Sequence, residues 1–322
     1  MKAIEYKKYG SPDVFQFNEV AKPAPKPGEV LIRVYASTVT AADIMMRKGK
    51  PVIGRLYLGV TKPKRTILGF EFAGEVVETG TAVTLFKPGD RVFGGTTTLG
   101  CYAGYKRISE QDVIATIPDN ISYAEAAPVS GSAITVLNFL KGKANIKAND
   151  KVLINGASGA LGTYAVQIAK HFGAEVTAVC STANIDLVKS LGADHVIDYT
   201  KNNFTKNGKQ YDVIFDTVNK RSFSEIKNSL APQGVYLPTV IGFPAFAQII
   251  RTAITGGKKV KSSSTGLLPV KKRLAYFMEI KTLLETGKIK TVIDSSYPLS
   301  QMTAAHQHVE KGHKKGSVVV SM

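Results

Sequence analysis

The stretch "VLINGASGALGTYAVQIAKHFGAEVTAVCST", residues 152–182, constrains the fold of this chain more than any other segment. Val152 to Asn155 form a short apolar strand that runs into a glycine turn, and Thr163 to Phe172 carry apolar residues at helical spacing. A second apolar strand, "VTAVCS", follows. Strand, turn, helix and returning strand make a βαβ unit, and its crossover implies a parallel sheet covered on both faces. The glycines fall at 156, 159 and 162, spaced G-x-x-G-x-x-G instead of G-x-G-x-x-G, so the turn differs slightly from the usual dinucleotide fingerprint. The physics is the same. The first glycine allows a sharp turn, Gly159 lets backbone N–H groups approach a pyrophosphate, and Gly162 lets the helix pack on the strand. The positive end of the helix dipole then faces the phosphates.

An NAD site usually carries Asp or Glu at the end of the second strand, accepting hydrogen bonds from the ribose hydroxyls. Here that place reads Ser181-Thr182-Ala183-Asn184. Without the acid nothing repels a 2′-phosphate, and the hydroxyls can donate to it. NADPH is the expected cofactor. NADH stays open, because no Arg or Lys follows Ser181 directly and Lys189 is the nearest base.

Residues 1 to about 120 read as strands broken by turns: "EVLIRVYAST" and "FAGEVVETG" alternate in the β manner, while "KPAPKPGE" and "FKPGDRVFGG" are Pro/Gly turn clusters. This is the pattern of an irregular β-barrel or sandwich. From about residue 121 buried runs alternate with helices, the rhythm of a doubly wound parallel sheet. The tail supplies a helix at about 270–286, the extended "TVIDSSYPLS", a helix at 302–311 and a final strand, and its pattern does not say which domain it completes. No apolar run approaches the roughly 18 residues that span a bilayer. The N-terminus, "MKAIEYKKYG", lacks an apolar h-region, so no signal peptide is expected. Two cysteines, Cys101 and Cys180, offer no disulfide framework and suggest a reducing compartment, with the cytoplasm expected. The net charge of +17 favours anionic partners, but its lysines are scattered in short groups and read as a solvated basic surface.

The glycine turn, with "ILGFEFAGEV" (67–76), "KPGDRVFGG" (87–95), "AAPVSGSA" (126–133) and "SLGADHVIDY" (190–199), closely resembles the medium-chain dehydrogenase/reductase superfamily. The match is to its zinc-free quinone oxidoreductases, the zeta-crystallin-like and chloroplast-envelope-like proteins, and it runs nearly end to end. The resemblance implies a GroES-like β-barrel catalytic domain at 1–124, a Rossmann domain at 125–265, and a segment 266–322 that returns to the catalytic domain. It implies that Ala157, Ser158, Gly159, Ala160, Leu161 and Gly162 cradle the pyrophosphate, and that Ser181, Thr182 and Tyr199 meet the adenosine ribose and its phosphate. Val218 and Asn219 lie toward the adenine side. Val240, Ile241, Gly242 and Phe243 flank the nicotinamide, with Gly316 and Ser317 closing over it. Thr40, where relatives often carry Asn, sits by the nicotinamide, and Asp43 completes that loop or simply caps a helix. Tyr57 is a candidate proton donor, with packing the role that ranks ahead of it for a tyrosine there. Relatives often form homodimers by joining Rossmann sheets edge to edge.

Zinc relatives carry a catalytic cysteine near "YASTVTAAD" and a histidine in a "GHE" motif; this chain has Ser37, Thr38 and Phe70 there. Glu71 and Asp43 remain, but two carboxylates without His or Cys make a poor zinc site. All five histidines lie between 171 and 313, and His306 and His308, at i and i+2, point to different sides of a helix. No metal is expected. Without a Lewis acid to polarise an alcohol, the expected acceptor is one that takes hydride readily: a quinone or an α,β-unsaturated carbonyl. The alternatives are an enoyl-thioester reductase of the same superfamily, and an NADPH-regulated protein binding nucleic acid or an anionic surface. The absence of an aromatic-plus-Arg strand motif argues against specific RNA recognition.

Overall fold

Two periodicities divide the chain. The computed structural model describes residues 1–240, 243–254 and 256–322. One unit comprises Met1–Gly131, Pro269–Glu285 and Thr291–Met322; the other comprises Ser132–Leu268 and Thr286–Lys290. The tail, which the residue pattern leaves open and the resemblance returns to the catalytic domain, lies mostly in the first unit.

In the first unit the strand Glu29–Val39 is the organiser. It pairs antiparallel with Glu71–Thr79, with Tyr105–Ser109 and with the C-terminal strand Ser317–Ser321. Eleven residues serve three ladders because Tyr105–Ser109 and Ser317–Ser321 take successive stretches, Glu29–Arg33 and Ala36–Val39, while Glu71–Thr79 runs along the other edge. The register with Glu71–Thr79 slips at Leu31/Ile32 and Val34/Ala36, and such irregularities bend a strand and raise its twist. Further strands, Arg91–Gly95 and Val113–Thr116 on one side and Ile293–Pro298 on the other, extend the curled sheet. Its inward side chains, among them Val30, Ile32, Val34, Phe72, Val92 and Ile114, form one core. A second cluster joins Tyr6, Val39, Leu68 and Tyr102 to Met302 and Val309 of the helix Met302–Lys311.

The second unit is a six-stranded sheet, parallel throughout. Its order across the sheet is His195–Asp198, Glu175–Cys180, Lys151–Asn155, Tyr211–Asp216, Leu230–Pro238 and Lys259–Val260. In chain order this reads 3-2-1-4-5-6, so the winding reverses between Lys151–Asn155 and Tyr211–Asp216. In such sheets ligands bind beyond the carboxyl ends of the strands at that reversal. The helix expected from Thr163 begins three residues earlier, at Ala160, and ends at His171. Gly159 stands at its N-cap in extended backbone, so helical geometry starts as soon as the glycine turn is complete. Among the described residues no helix is long and apolar enough to cross a membrane.

Candidate cofactor and acceptor sites

The carboxyl ends of Lys151–Asn155 and Tyr211–Asp216 meet at one buried carboxylate. Asp216 accepts from Asn155 Nδ2 at 2.8 Å and from the Tyr236 hydroxyl at 2.8 Å. It also accepts from the backbone N–H groups of Val218 and Asn219, each at 3.0 Å. One side chain therefore fixes three strand ends and the loop that follows. Asn219, with φ of 56°, extends the lattice: its amide donates to Thr239 Oγ1 at 2.8 Å and its carbonyl accepts from Val240 N–H at 3.2 Å. Val218 and Val240 stay 41% and 55% exposed, apolar side chains held in solvent beside this lattice.

The glycine turn uses its three glycines differently. Gly156 has φ of +84°, and a Cβ there would come within 2.4 Å of Thr217 Oγ1. At Gly162 a Cβ would lie 2.1 Å from the Gly156 carbonyl oxygen, so helix and turn touch backbone to backbone. Gly159 is different: a Cβ there meets nothing nearer than 3.6 Å. The space in front of it is not claimed by the protein. The helix it opens has no capping side chain, leaving its first-turn N–H groups as free donors. Ala157 is buried, while Ser158, Gly159, Ala160 and Leu161 are partly open and Gly162 is covered. An open approach to Gly159 and an uncapped helix start together suit an anion.

At the end of Glu175–Cys180, Ser181 Oγ accepts from Asn184 Nδ2 at 3.2 Å, and the same amide donates to Ser158 Oγ at 3.0 Å. Thr182 does not share this role. Its hydroxyl donates to Asp198, which also takes Thr200 Oγ1 at 2.7 Å and Thr200 N–H at 2.9 Å. The Thr182 and Thr200 hydroxyls hold the Asp198 carboxyl below its ordinary range. The acid missing from the second strand thus has a neighbour on the third, and of the two hydroxyls expected to face a 2′-phosphate only Ser181 has its hydrogen available. Tyr199 follows, half exposed. Lys189, the nearest base in sequence, lines a groove with Asp194, His195 and Lys209. Ile241 and Gly242 lie outside the described residues, and Phe243 opens the helix Phe243–Ile254.

In the first unit Thr40 is the N-cap of the helix Ala41–Lys48, and Asp43 closes a capping box with it. Thr40 Oγ1 donates to Asp43 Oδ2 at 2.5 Å, Thr40 N–H does so at 2.9 Å, and Asp43 N–H returns to Thr40 Oγ1 at 3.3 Å. Of the two roles open to Asp43 in the sequence, the cap is the one its contacts display. It is fully buried, and burial lifts its carboxyl to about 6 against hydrogen bonds from Thr40, Gly69 and Tyr102. Tyr102 also reaches buried His306 Nε2 at 3.3 Å, and burial pushes that imidazole down to about 3, so it is neutral. His308 points elsewhere, to Asp294 Oδ2 at 2.6 Å. Tyr57 lies in the short helix Arg55–Leu58.

The positions that hold zinc in relatives are occupied by a different bonding pattern. Ser37 Oγ donates to the Glu71 carbonyl at 2.7 Å, the Thr38 hydroxyl donates to the Glu71 carboxylate, and Gly131 N–H donates to it at 2.5 Å. Among the described residues no three His, Cys, Asp or Glu side chains gather as a metal set. The donors present do not fit catalytic zinc. Gly316 and Ser317 fall in this unit, beside a residue the sequence did not single out. The Lys314 amine donates to the Gly316 carbonyl, and burial draws its pKa down to about 8 against the pull of Asp294 and Glu71. No local motif announces it; only the tertiary placement of the tail does.

A parallel sheet of order 3-2-1-4-5-6 with a phosphate cradle, next in sequence to a curled β domain, defines the class of nicotinamide-dependent oxidoreductases. Family comparisons agree. An alcohol dehydrogenase GroES-like domain matches residues 26–136, and a zinc-binding dehydrogenase domain matches 191–320. A quinone-oxidoreductase homolog of Spinacia oleracea chloroplasts is 34% identical over 99% of this chain and 98% of its own. An NADPH-dependent alkenal/one oxidoreductase of Arabidopsis thaliana chloroplasts is 32% identical over 99% of this chain and 79% of its own. The Escherichia coli quinone oxidoreductase solved with NADPH superposes with a TM-score of 0.85 at 25% identity, each chain covered in full. The chain belongs to the quinone oxidoreductase family of the medium-chain dehydrogenases/reductases, and is an oxidoreductase.

Proposed function

We propose that this chain reduces quinones or α,β-unsaturated carbonyls at the expense of NADPH, without a metal. The observation that carries the cofactor half is the space before Gly159, open to a phosphate and facing an uncapped helix start. When bound, the reduced nicotinamide supplies the hydride. Ala157 to Gly162 grip the pyrophosphate through backbone N–H groups. Ser181 and Tyr199 meet the ribose phosphate, with Thr182 buttressing from Asp198. Val218, Asn219 and Val240 flank the cofactor from the carboxyl ends of the sheet.

For the acceptor the first unit supplies a loop fixed by the Thr40–Asp43 cap, so orientation does much of the work. Reduction of an enone also requires a proton at carbon. Lys314, able to exchange one near neutrality, is the group we assign to that end, ahead of Tyr57. The named activities of the two plant relatives point to the same acceptors. The absence of a fitting donor set supports metal independence. Two unpaired, buried cysteines support a reducing compartment. The cytoplasm is not singled out, since several relatives are named for chloroplasts or mitochondria. We propose a homodimer as the assembly, on the exposed apolar stripe discussed below.

Oxidation of NADPH and NADH is to be followed with an ortho-quinone, an enone and a crotonyl thioester, a chelator being present throughout. Turnover of the first two acceptors with NADPH preferred is expected. Activity lost to the chelator would overturn metal independence, and turnover confined to the thioester would replace the acceptor class.

A further inference from the structure

We propose that Asn184 determines the cofactor preference, holding the Ser158 and Ser181 hydroxyls as outward donors to the phosphates of a 2′-phosphorylated dinucleotide. This rests on the cofactor reading above.

The side chain has been diverted from its default task. Asn184 stands at the N-cap of the helix Ile185–Ser190, where an Asn oxygen ordinarily accepts from a backbone N–H of the first turn. Here it makes no such bond. It is only 6% exposed, and its buried Oδ1 has no hydrogen-bond partner among the described residues. Its Nδ2 instead spans two segments 23 positions apart, with Ser158 in the glycine turn at 3.0 Å and Ser181 at the second strand end at 3.2 Å. Both amide hydrogens are thereby used.

The consequence falls on the serines. A hydroxyl that accepts from an amide N–H cannot return its own hydrogen along the same line, so that hydrogen points elsewhere. Among the described residues neither serine hydroxyl donates to any acceptor. Accepting a hydrogen bond also polarises the O–H and strengthens it as a donor. Two aimed donors result, one at the pyrophosphate cradle and one at the adenosine ribose. Thr182 cannot substitute, because its hydrogen is committed to Asp198. No base stands at Ala183 or Ile185 to do the work by charge.

Selectivity made by neutral donors has two signatures. It changes little with salt, because it does not come from a screened cation. It also depends on the direction of the amide. An aspartate at 184 has no hydrogens to give, would accept from both serines and turn their hydrogens inward, and would add a charge that repels a 2′-phosphate.

The test is calorimetric binding of NADP⁺ and NAD⁺, at low and physiological salt, with melting temperatures recorded. The proteins are the wild type, Asn184→Ala, Asn184→Asp, Ser181→Ala and the double variant Asn184→Ala/Ser181→Ala. We expect the wild type to prefer NADP⁺ at both salts, and the ratio of affinities to fall about tenfold or more in Asn184→Ala, the value of one hydrogen bond to a charged group. Asn184→Asp should bring the ratio to parity or reverse it. The double variant should match Ser181→Ala alone, since Asn184 acts through that serine. An unchanged ratio in Asn184→Ala, or additive effects in the double variant, would overturn the proposal while leaving the cofactor reading intact. A wild type that prefers NAD⁺ or binds neither would remove both.

Discussion

The carbonyl oxygen of Gly156 occupies the place where a side chain on Gly162 would begin, 2.1 Å from an ideal Cβ. The turn and its helix are locked together there, whereas Gly159 between them faces open space and has a φ of −80° that any residue adopts. The two glycines therefore separate folding from binding. Gly162→Ala should destabilise the second unit by about 1–3 kcal/mol, the usual cost of overpacking a close contact. Gly159→Ala should leave the melting temperature nearly unchanged yet weaken NADP⁺ binding at least tenfold, because the new methyl fills the phosphate space. Paired melting and binding curves check this, and equal stability losses in both variants would contradict the assignment.

Asp43 makes stability depend on pH in an unusual direction. Its folded pKa, near 6, lies above the ordinary 3.8 because it is buried, so folding favours its protonated form. Stability from this group is present below pH 4, is lost as pH rises to 6, and is flat beyond; the gap between 3.8 and about 6 corresponds to up to roughly 3 kcal/mol. Asn at 43 carries no charge and keeps one accepting oxygen. Urea unfolding at pH 4.5 and 7 should show the wild type losing stability relative to Asp43→Asn. A parallel pH response in both proteins would show that Asp43 does not titrate in this window.

What could be read from the residues alone divides along physical lines. The βαβ unit, the packing role of Gly162 and the helix cap that was one of two roles open to Asp43 are local, set by neighbours within a few positions, and were legible. Asp216, Asp198 and Asn184 were not. Their meaning lies in partners brought beside them by the parallel sheet: Asn155 is 61 positions from Asp216, Thr182 is 16 from Asp198 and Ser158 is 26 from Asn184. The rule that a second-strand acid decides the cofactor reads one strand, whereas the carboxylate here arrives from the next. Lys314 was hidden for the same reason, and the tail took its place from the resemblance alone, since a strand pattern does not name its sheet.

Arg47 and Glu310, 263 positions apart, illustrate how much such long contacts hold. The Arg47 side chain is fully buried, its Nη2 bonded to Glu310 while Nε and Nη1 have no hydrogen-bond partner among the described residues. Burial already draws the guanidinium down and Glu310 opposes it. Removing the carboxylate leaves a buried unpaired charge, so Glu310→Ala should cost about 3–5 kcal/mol. Lys48, paired with the same carboxylate at 2.9 Å but 41% exposed, serves as the control: Lys48→Ala should cost under about 1 kcal/mol.

Lys314 is expected to shape the pH profile of turnover. If its ammonium form supplies the proton, the enone rate falls as pH rises through about 8. Lys314→Met should flatten that limb and lower the enone kcat more than the quinone kcat, because a reduced quinone needs no proton at carbon. An unaltered limb in Lys314→Met would assign the proton to another group, with Tyr57 next to be tested by Tyr57→Phe.

The helix Phe243–Ile254 exposes Phe246, Ile250 and Ile254 at 55%, 50% and 83%, while Thr252 on its other side is buried. Spacing of four puts all three on one face, an apolar stripe that a monomer would leave in water. Among the described residues the neighbouring edge strand Lys259–Val260 pairs on one side alone, with Leu230–Pro238. A stripe and a free edge together suit a second copy meeting the same surface across a twofold axis, since an isologous contact buries both at once. Light scattering after gel filtration should give a dimer for the wild type. Ile250→Asp would place two like charges against each other in such an interface and should yield a monomer that still binds NADP⁺. A wild type that is monomeric at tens of micromolar would end the dimer proposal, and an Ile250→Asp protein that remains dimeric would move the interface to another face.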